Sequence, residues 1–163
     1  MRSIRFGRAV AFILPLVAAG AFAQSAAAQT GLQFFAVTPC RAVDTRSNSG
    51  GIIPAAAERK LVIKNVCGIP ATAKAVSLNA TIVTPTVDGF FSMWPSGGVF
   101  PVVSTINFLA NEPALANGAI VPLSAAPVAC PLPGPGCDLS VAYGTSSGAG
   151  QTHAVLDVTG YFQ

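Results

Sequence analysis

The hydrophobic positions along this chain come in short alternating runs, cut by Gly, Pro, Asn and Asp. The clearest run is 75–83 (AVSLNATIV). Val76, Leu78, Ala80 and Ile82 fall on one face of it, and Ser77, Asn79, Thr81 and Val83 on the other. A period of two is the mark of a half-buried strand. Residues 60–66 (KLVIKNV) read the same way, with Leu61, Ile63 and Asn65 opposed to Val62, Lys64 and Val66. In 90–94 (FFSMW), Phe90, Ser92 and Trp94 share one face and Phe91 and Met93 the other. One of these faces must be core, which leaves the second as a platform or an interface. Residues 33–37, 105–109, 119–123, 139–143 and 154–158 complete the strands. A short extended piece at 42–45 and an extension over 159–162 are added to them. Turns are expected at 67–70, 84–89 and 95–98, with a flexible tip at 146–150. Residues 55–57 and 71–73 have room for one helical turn each.

No long apolar run has helical spacing, and all but Pro15 of the 13 prolines lie beyond the first 28 residues. Eight or nine short strands at regular spacing predict an all-β fold, a two-sheet antiparallel β-sandwich of jelly-roll or Ig-like kind. No internal repeat divides it, so residues 29–163 read as one domain.

The first 28 residues have a different pattern. Arg2, Arg5 and Arg8 precede an apolar stretch over 9–23, followed by small-residue sites at 21–23 and 26–28. This is the layout of a cleaved secretory signal, with the cut after Ala28 or after Ala23. The stretch is shorter than the ~20 residues a membrane span needs. Neither cut is followed by a cysteine that could carry a lipid. The expected location is therefore extracellular or at the cell surface, with the periplasm as an alternative, and no membrane insertion after cleavage.

Removing the signal changes the charge. Arg41, Arg46, Arg59, Lys60, Lys64 and Lys74 remain against Asp44, Glu58, Asp88, Glu112, Asp138 and Asp157, a net charge of zero. Without a basic footprint there is nothing to neutralise phosphates, which excludes a nucleic-acid partner. Near-neutrality also leaves little repulsion between copies. The remaining chain, about 135 residues, is long enough for a real core. It is also too apolar and too poor in charge for disorder.

The four cysteines, Cys40, Cys67, Cys130 and Cys137, would lie in an oxidising space and read as two disulfides with three possible pairings. Cys130 and Cys137 flank a Pro/Gly-rich turn that can bring them together, which leaves Cys40 with Cys67. In the chain-entropy view the short and long bridges contribute about 2.5 and 3.5 kcal/mol. A zinc site would need thiolates at close pair spacings or added histidines, and neither is present.

Several segments together carry a resemblance. FFAVTPCRAVDTR (34–46), CGIPATAKAVSLNATIVTPTVDGFFSMWPSGG (67–98), STINF (104–108), ANGAIVPL (116–123) and LDVTGYF (156–162) stand in order. The chain resembles a secreted bacterial β-rich surface module with an R-x-x-D-T-R opening and a D-V-[TA]-G-[YF] close. That module is often found in tandem in actinobacterial, myxobacterial and acidobacterial extracellular proteins. The resemblance spans about residues 34–162 and implies an accessory extracellular module without an activity common to the family.

Candidate chemistry is sparse. Nucleophilic catalysis needs a base beside the nucleophile, and the only histidine is His153, which shares a strand face with Asp157. The simpler reading is a strand-entry histidine near solvent. Asp44, Asp88, Asp138 and Asp157 could supply a carboxylate pair for glycoside hydrolysis, but each reads more simply as a turn or strand-end residue. No catalytic residue is assigned, and the protein is not expected to be an enzyme. No cofactor is expected either. Calcium held by Asp44, Asp138 or Asp157 with backbone carbonyls is the one alternative, without a D-x-D-x-D loop to support it. Phe90, Trp94 and Tyr143 are the candidates for contact with a glycan or a protein partner.

The charged segment TPCRAVDTR (38–46) is read as a structural clasp of Arg41, Asp44 and Arg46, pinned by Cys40 to the turn at Cys67. On an extended strand Asp44 and Arg46 share a face and Arg41 takes the other. Asp44 is expected to accept backbone hydrogen bonds or to pair with an arginine, because an unpaired buried charge is too costly. The expected role is a non-catalytic structural or adhesive subunit. Its partners would be itself or other cell-surface proteins. A carbohydrate-binding module contacting polysaccharide is the alternative.

Overall fold

The structure, a computed structural model, describes residues 31–47, 49–130 and 136–163. The expected signal at 1–28 and the loop residues 131–135 lie outside the described residues. Residues 31–163 form one compact unit.

Among the described residues nine strands run in chain order: β1 (Phe34–Asp44), β2 (Ile53–Pro54), β3 (Glu58–Leu61), β4 (Ala75–Val83), β5 (Gly89–Pro95), β6 (Ile106–Phe108), β7 (Leu115–Pro122), β8 (Leu139–Gly144) and β9 (Gln151–Phe162). They make two antiparallel sheets. One has the order β1-β9-β4-β7, with β2 also paired to β9; the other has the order β3-β8-β5-β6. The all-β sandwich and both expected disulfides, Cys40–Cys67 and Cys130–Cys137, are present. The described residues contain no helix, so 55–57 and 71–73 are turns and extended chain. Just past β2 the chain changes sheets, as Ala55 bridges to Tyr143 of β8.

The alternation read from the sequence sets the core. Val76, Leu78, Ala80 and Ile82 of β4 are all buried between the sheets. Phe91 and Met93 of β5 face them from the second sheet, with Leu139, Val141 and Tyr143 of β8 beside them. A fully buried aliphatic or aromatic side chain of this kind contributes about 1.5–3 kcal/mol.

Four elements differ from the sequence reading. A short strand, β2, stands at Ile53–Pro54 where none is expected, paired to the start of β9. The expected pieces 33–37 and 42–45 are one strand, β1, because β9 is long enough to pair with both. The expected strand 60–66 ends at Leu61. Its continuation is drawn off the ladder because the Asp138 carboxylate accepts the N–H groups of Ile63 and Lys64, each at 3.0 Å. Asn65 and Cys67 then turn with φ of 64° and 55°. Finally, β7 begins earlier than the apolar run at 119–123, because 115–118 pair with β4 through their backbone.

Both faces of FFSMW are covered, by different means. Phe91 and Met93 enter the core. On the outer face Ser92 and Trp94 are also buried, beneath the chain that follows β5. The Ser92 hydroxyl donates to the Val103 carbonyl at 2.8 Å. The Phe100 ring meets Trp94 edge-on at 5.2 Å. Residues 97–105 therefore form a strap across the outside of the second sheet.

Candidate functional site

The segment RAVDTR lies where β1 meets β9, and each of its residues that carries chemistry has a defined task. Ala42 is an extra residue in the ladder: Arg41 pairs with Asp157 and Val43 with Leu156. On an unbroken strand Arg41 and Asp44 would face opposite ways. The bulge resets the alternation and brings them together, which corrects the expected separation of Arg41 from the other two. Arg41 then forms a two-pronged pair with Asp157, Nε to Oδ1 at 2.8 Å and Nη2 to Oδ2 at 3.1 Å. Its Nη1 stands 3.5 Å from Asp44 Oδ2.

Asp44 is paired with Arg46 in the same forked way, at 2.9 and 2.8 Å. It also accepts the Arg46 backbone N–H at 3.0 Å, the local bond that turns the chain after an aspartate. The result is a line of alternating charge, Arg46–Asp44–Arg41–Asp157, along the outer face of the first sheet. The side-chain hydrogen bond from Arg46 leads in holding the Asp44 carboxyl far below the usual carboxylate range. Burial opposes it as the next largest effect, and the Arg46 N–H and the charges of both arginines add to the lowering. The Asp157 hydrogen bond and charge raise the Arg41 guanidinium, and Asp44 does the same for Arg46.

Between the charges, Val43 enters the core and Thr45 is buried. The Thr45 hydroxyl oxygen accepts the Ala154 N–H at 2.9 Å and lies 3.1 Å from His153 Nδ1. His153 and Asp157 are thus each engaged with β1: one ring nitrogen of His153 meets a threonine and both Asp157 oxygens meet an arginine. They do not form a base with its orienting acid. The opening and closing motifs of the resemblance, far apart in sequence, are hydrogen-bonded neighbours here, and Cys40–Cys67 fixes the same strand with Cα atoms 5.7 Å apart.

A second polar centre was not singled out as a clasp in the sequence. Besides holding Ile63 and Lys64, Asp138 offers its carbonyl to the N–H groups of Ser96 and Ser124. The Lys64 ammonium, itself buried, donates to the Ser124 carbonyl at 2.6 Å. Burial pushes the Asp138 carboxyl up, opposed by the two N–H donors and by the Lys64 charge. The only sequence signal was a lysine amid apolar residues at 61–66, which alternation alone assigns to a strand face. Arg59 was missed as well. Its guanidinium donates to the carbonyls of Ser49 and Ile52 and so ties the chain after β1 to the second sheet.

The three aromatic candidates do not make an exposed row. Tyr143 is fully buried and its hydroxyl donates to the Val87 carbonyl at 2.6 Å. Trp94 lies under the strap, and Phe90 is half-buried against Gly144. A cavity of about 220 Å³ opens beside the strap, lined by Glu58, Trp94, Phe100 and Tyr143 among others. The Trp94 Nε1 is buried without a hydrogen-bond partner among the described residues. Asp44, Asp138 and Asp157 are committed to arginines and backbone N–H groups. Among the described residues no three His, Cys, Asp or Glu side chains gather to hold a metal.

A scan against protein-family models and searches of curated proteins and of solved structures found no match. No described helix is long and apolar enough to cross a membrane, and the two disulfides accord with an oxidising environment.

Proposed function

We propose that this protein is a secreted, non-catalytic structural or adhesive subunit that acts at the cell surface or in the extracellular space through protein contacts. The observation that carries this reading is the strap over the second sheet. It covers Trp94 with Phe100, yet turns Val99, Val102 and Val103 outward, with Val102 fully exposed. Leu109 nearby is exposed as well. Exposed apolar side chains collected on one segment mark a contact surface rather than ordinary surface scatter. The neutral charge of residues 29–163 leaves such contacts unopposed. The polar constellations, in contrast, are closed on themselves as clasps, with no free nucleophile–base pair among the described residues. The likeness of the opening and closing motifs to secreted bacterial modules supports the same reading.

Light scattering and electron microscopy on the oxidised secreted protein test it. Discrete oligomers or regular filaments are the expected result, weakened by Val102→Asp and Val103→Asp. A monomer at high concentration that is retained by no cell-surface protein would overturn the reading. Retention on polysaccharide instead would shift the assignment to a carbohydrate-binding module.

A further inference from the structure

We infer that β7 is a self-pairing edge: two copies of this chain join antiparallel along Leu115–Pro122, so that one sheet continues through both molecules. This rests on the assembly reading above and names the contact it uses. Among the described residues five strands lie at sheet edges, β1, β2 and β7 in one sheet and β3 and β6 in the other. Unprotected edges invite pairing, and proteins blunt them with charge, proline, bulges or shortness. Four of these edges are blunted. β2 has only two residues, the second of them Pro54. β1 is bulged at 37–39 and at Ala42 and carries Pro39 and Arg41. β3 is four residues long and includes Glu58, Arg59 and Lys60. β6 has three residues.

β7 has no charge, no bulge and no shortness to protect it, and its one proline, Pro122, stands at its last position. Its eight residues, LANGAIVP, carry no charge and pair with β4 without a register shift. The bond from the Leu123 N–H to the Lys74 carbonyl fixes which groups point outward. In an antiparallel ladder hydrogen-bonded pairs alternate with non-bonded ones. Val121, Ala119, Asn117 and Leu115 therefore turn their backbone groups to β4. Ala116, Gly118 and Ile120 turn theirs to the open edge, where no described residue pairs with them. All three are exposed, and Ile120 is 64% exposed although apolar.

This edge is complementary to itself. A two-fold axis at Gly118 sets Gly118 opposite its own copy and Ala116 opposite the copy's Ile120. All three pairs then have both donor and acceptor facing, about six backbone hydrogen bonds in all. Each exposed Ile120 gains a cross-strand neighbour in the other copy's Ala116. With no charge on the strand, no like charges meet across the axis. Pro122 lacks an N–H, so the ladder stops at that end and the register is limited. Edge pairing of this length buries less than the ~1,600 Å² of a standard interface, so the pair dissociates on dilution.

Hydrogen exchange and light scattering on the oxidised protein over a dilution series test this. The expected result is a dimer at high concentration. The amides of Ala116, Gly118 and Ile120 should then slow by about tenfold or more relative to the dilute sample. The amides of Asn117 and Ala119, already bonded to β4, should not change. Gly118→Pro removes a central outward N–H at a position where an added side chain meets nothing within 4 Å. Ile120→Lys places like charges near the axis. Each should abolish the dimer and leave the melting temperature unchanged. If the wild-type protein assembles while those three amides stay fast, or if both variants still assemble, the edge inference is overturned and assembly through the strap stands. If the wild-type protein does not associate at all, the edge inference falls, and the adhesive reading then stands or falls on retention by another cell-surface protein.

Discussion

Along β1 the ladder to β9 is broken twice, and Arg41 lies between the breaks, locked to Asp157. Along β7, at the other side of the same sheet, eight residues pair with β4 without a break and without a charge. The difference lies in where the chain spends its few ionic groups. Arg41, Asp44, Arg46 and Asp157 make up four of the twelve charges outside the expected signal, and all four are used to hold and blunt a single edge. The means of holding differ as well. β1 is tied down covalently by Cys40–Cys67 and by the arginine–aspartate line. The chain leaving β7 is tied from inside, by Lys64 and Asp138 on Ser124. The segment 61–69 serves both, since it carries Cys67 for one edge and Lys64 for the other.

The largest break in this comparison is covalent. Cys40→Ser with Cys67→Ser should cost about 3.5 kcal/mol, because the bridge closes a loop of sequence separation 27. Denaturant melts measure this, and proteolysis should then begin near β1 rather than near β7. Asp138→Ala should cost roughly 3 kcal/mol, since it leaves two buried N–H groups unmet and strips the buried Lys64 of its nearby charge. Its local signature should be faster amide exchange at Ile63 and Lys64, whose N–H groups the carboxylate holds.

The two aspartates also separate by pH. Asp44 has a depressed folded value. Its stabilisation is present above the ordinary carboxylate value and is lost as pH falls toward the folded value. Asp138 has a raised folded value, so the folded state takes up its proton first. Its contribution therefore grows as pH falls from that raised value to the ordinary one. Asp44→Asn should accordingly flatten the acid-side loss in a melting series from about pH 5 to pH 2, while Asp138→Asn should leave that loss in place and lower stability at neutral pH. The smallest effect is expected at the open edge: Ile120→Thr should change stability by less than about 0.5 kcal/mol while weakening self-association.

Much of the sandwich could be read directly. Val76, Leu78, Ala80 and Ile82 alternate and are buried together, and the 154–158 run with its extension is β9 almost end to end. The clasp was legible in its members but not in its geometry. Arg41 joins Asp44 only because Ala42 is surplus to the ladder, and a surplus residue exists only relative to a partner strand. The 60–66 run failed for a related reason. Its alternation is real, but Asp138, more than seventy residues away, competes for its N–H groups and wins. Trp94 and Tyr143 looked available because nothing in FFSMW or in 139–143 shows that 97–105 folds back over one face, or that Tyr143 finds the Val87 carbonyl.

Local composition and period, then, determined the β class, most of the strand segments, the core face of β4 and the pairing of four cysteines. These follow from alternation and short-range loop closure, which act within a few residues. The tertiary structure alone decided which strands became edges, which edge was blunted, and which charges met. Those outcomes depend on register between segments distant in sequence, and a single bulged residue reverses a strand's two faces.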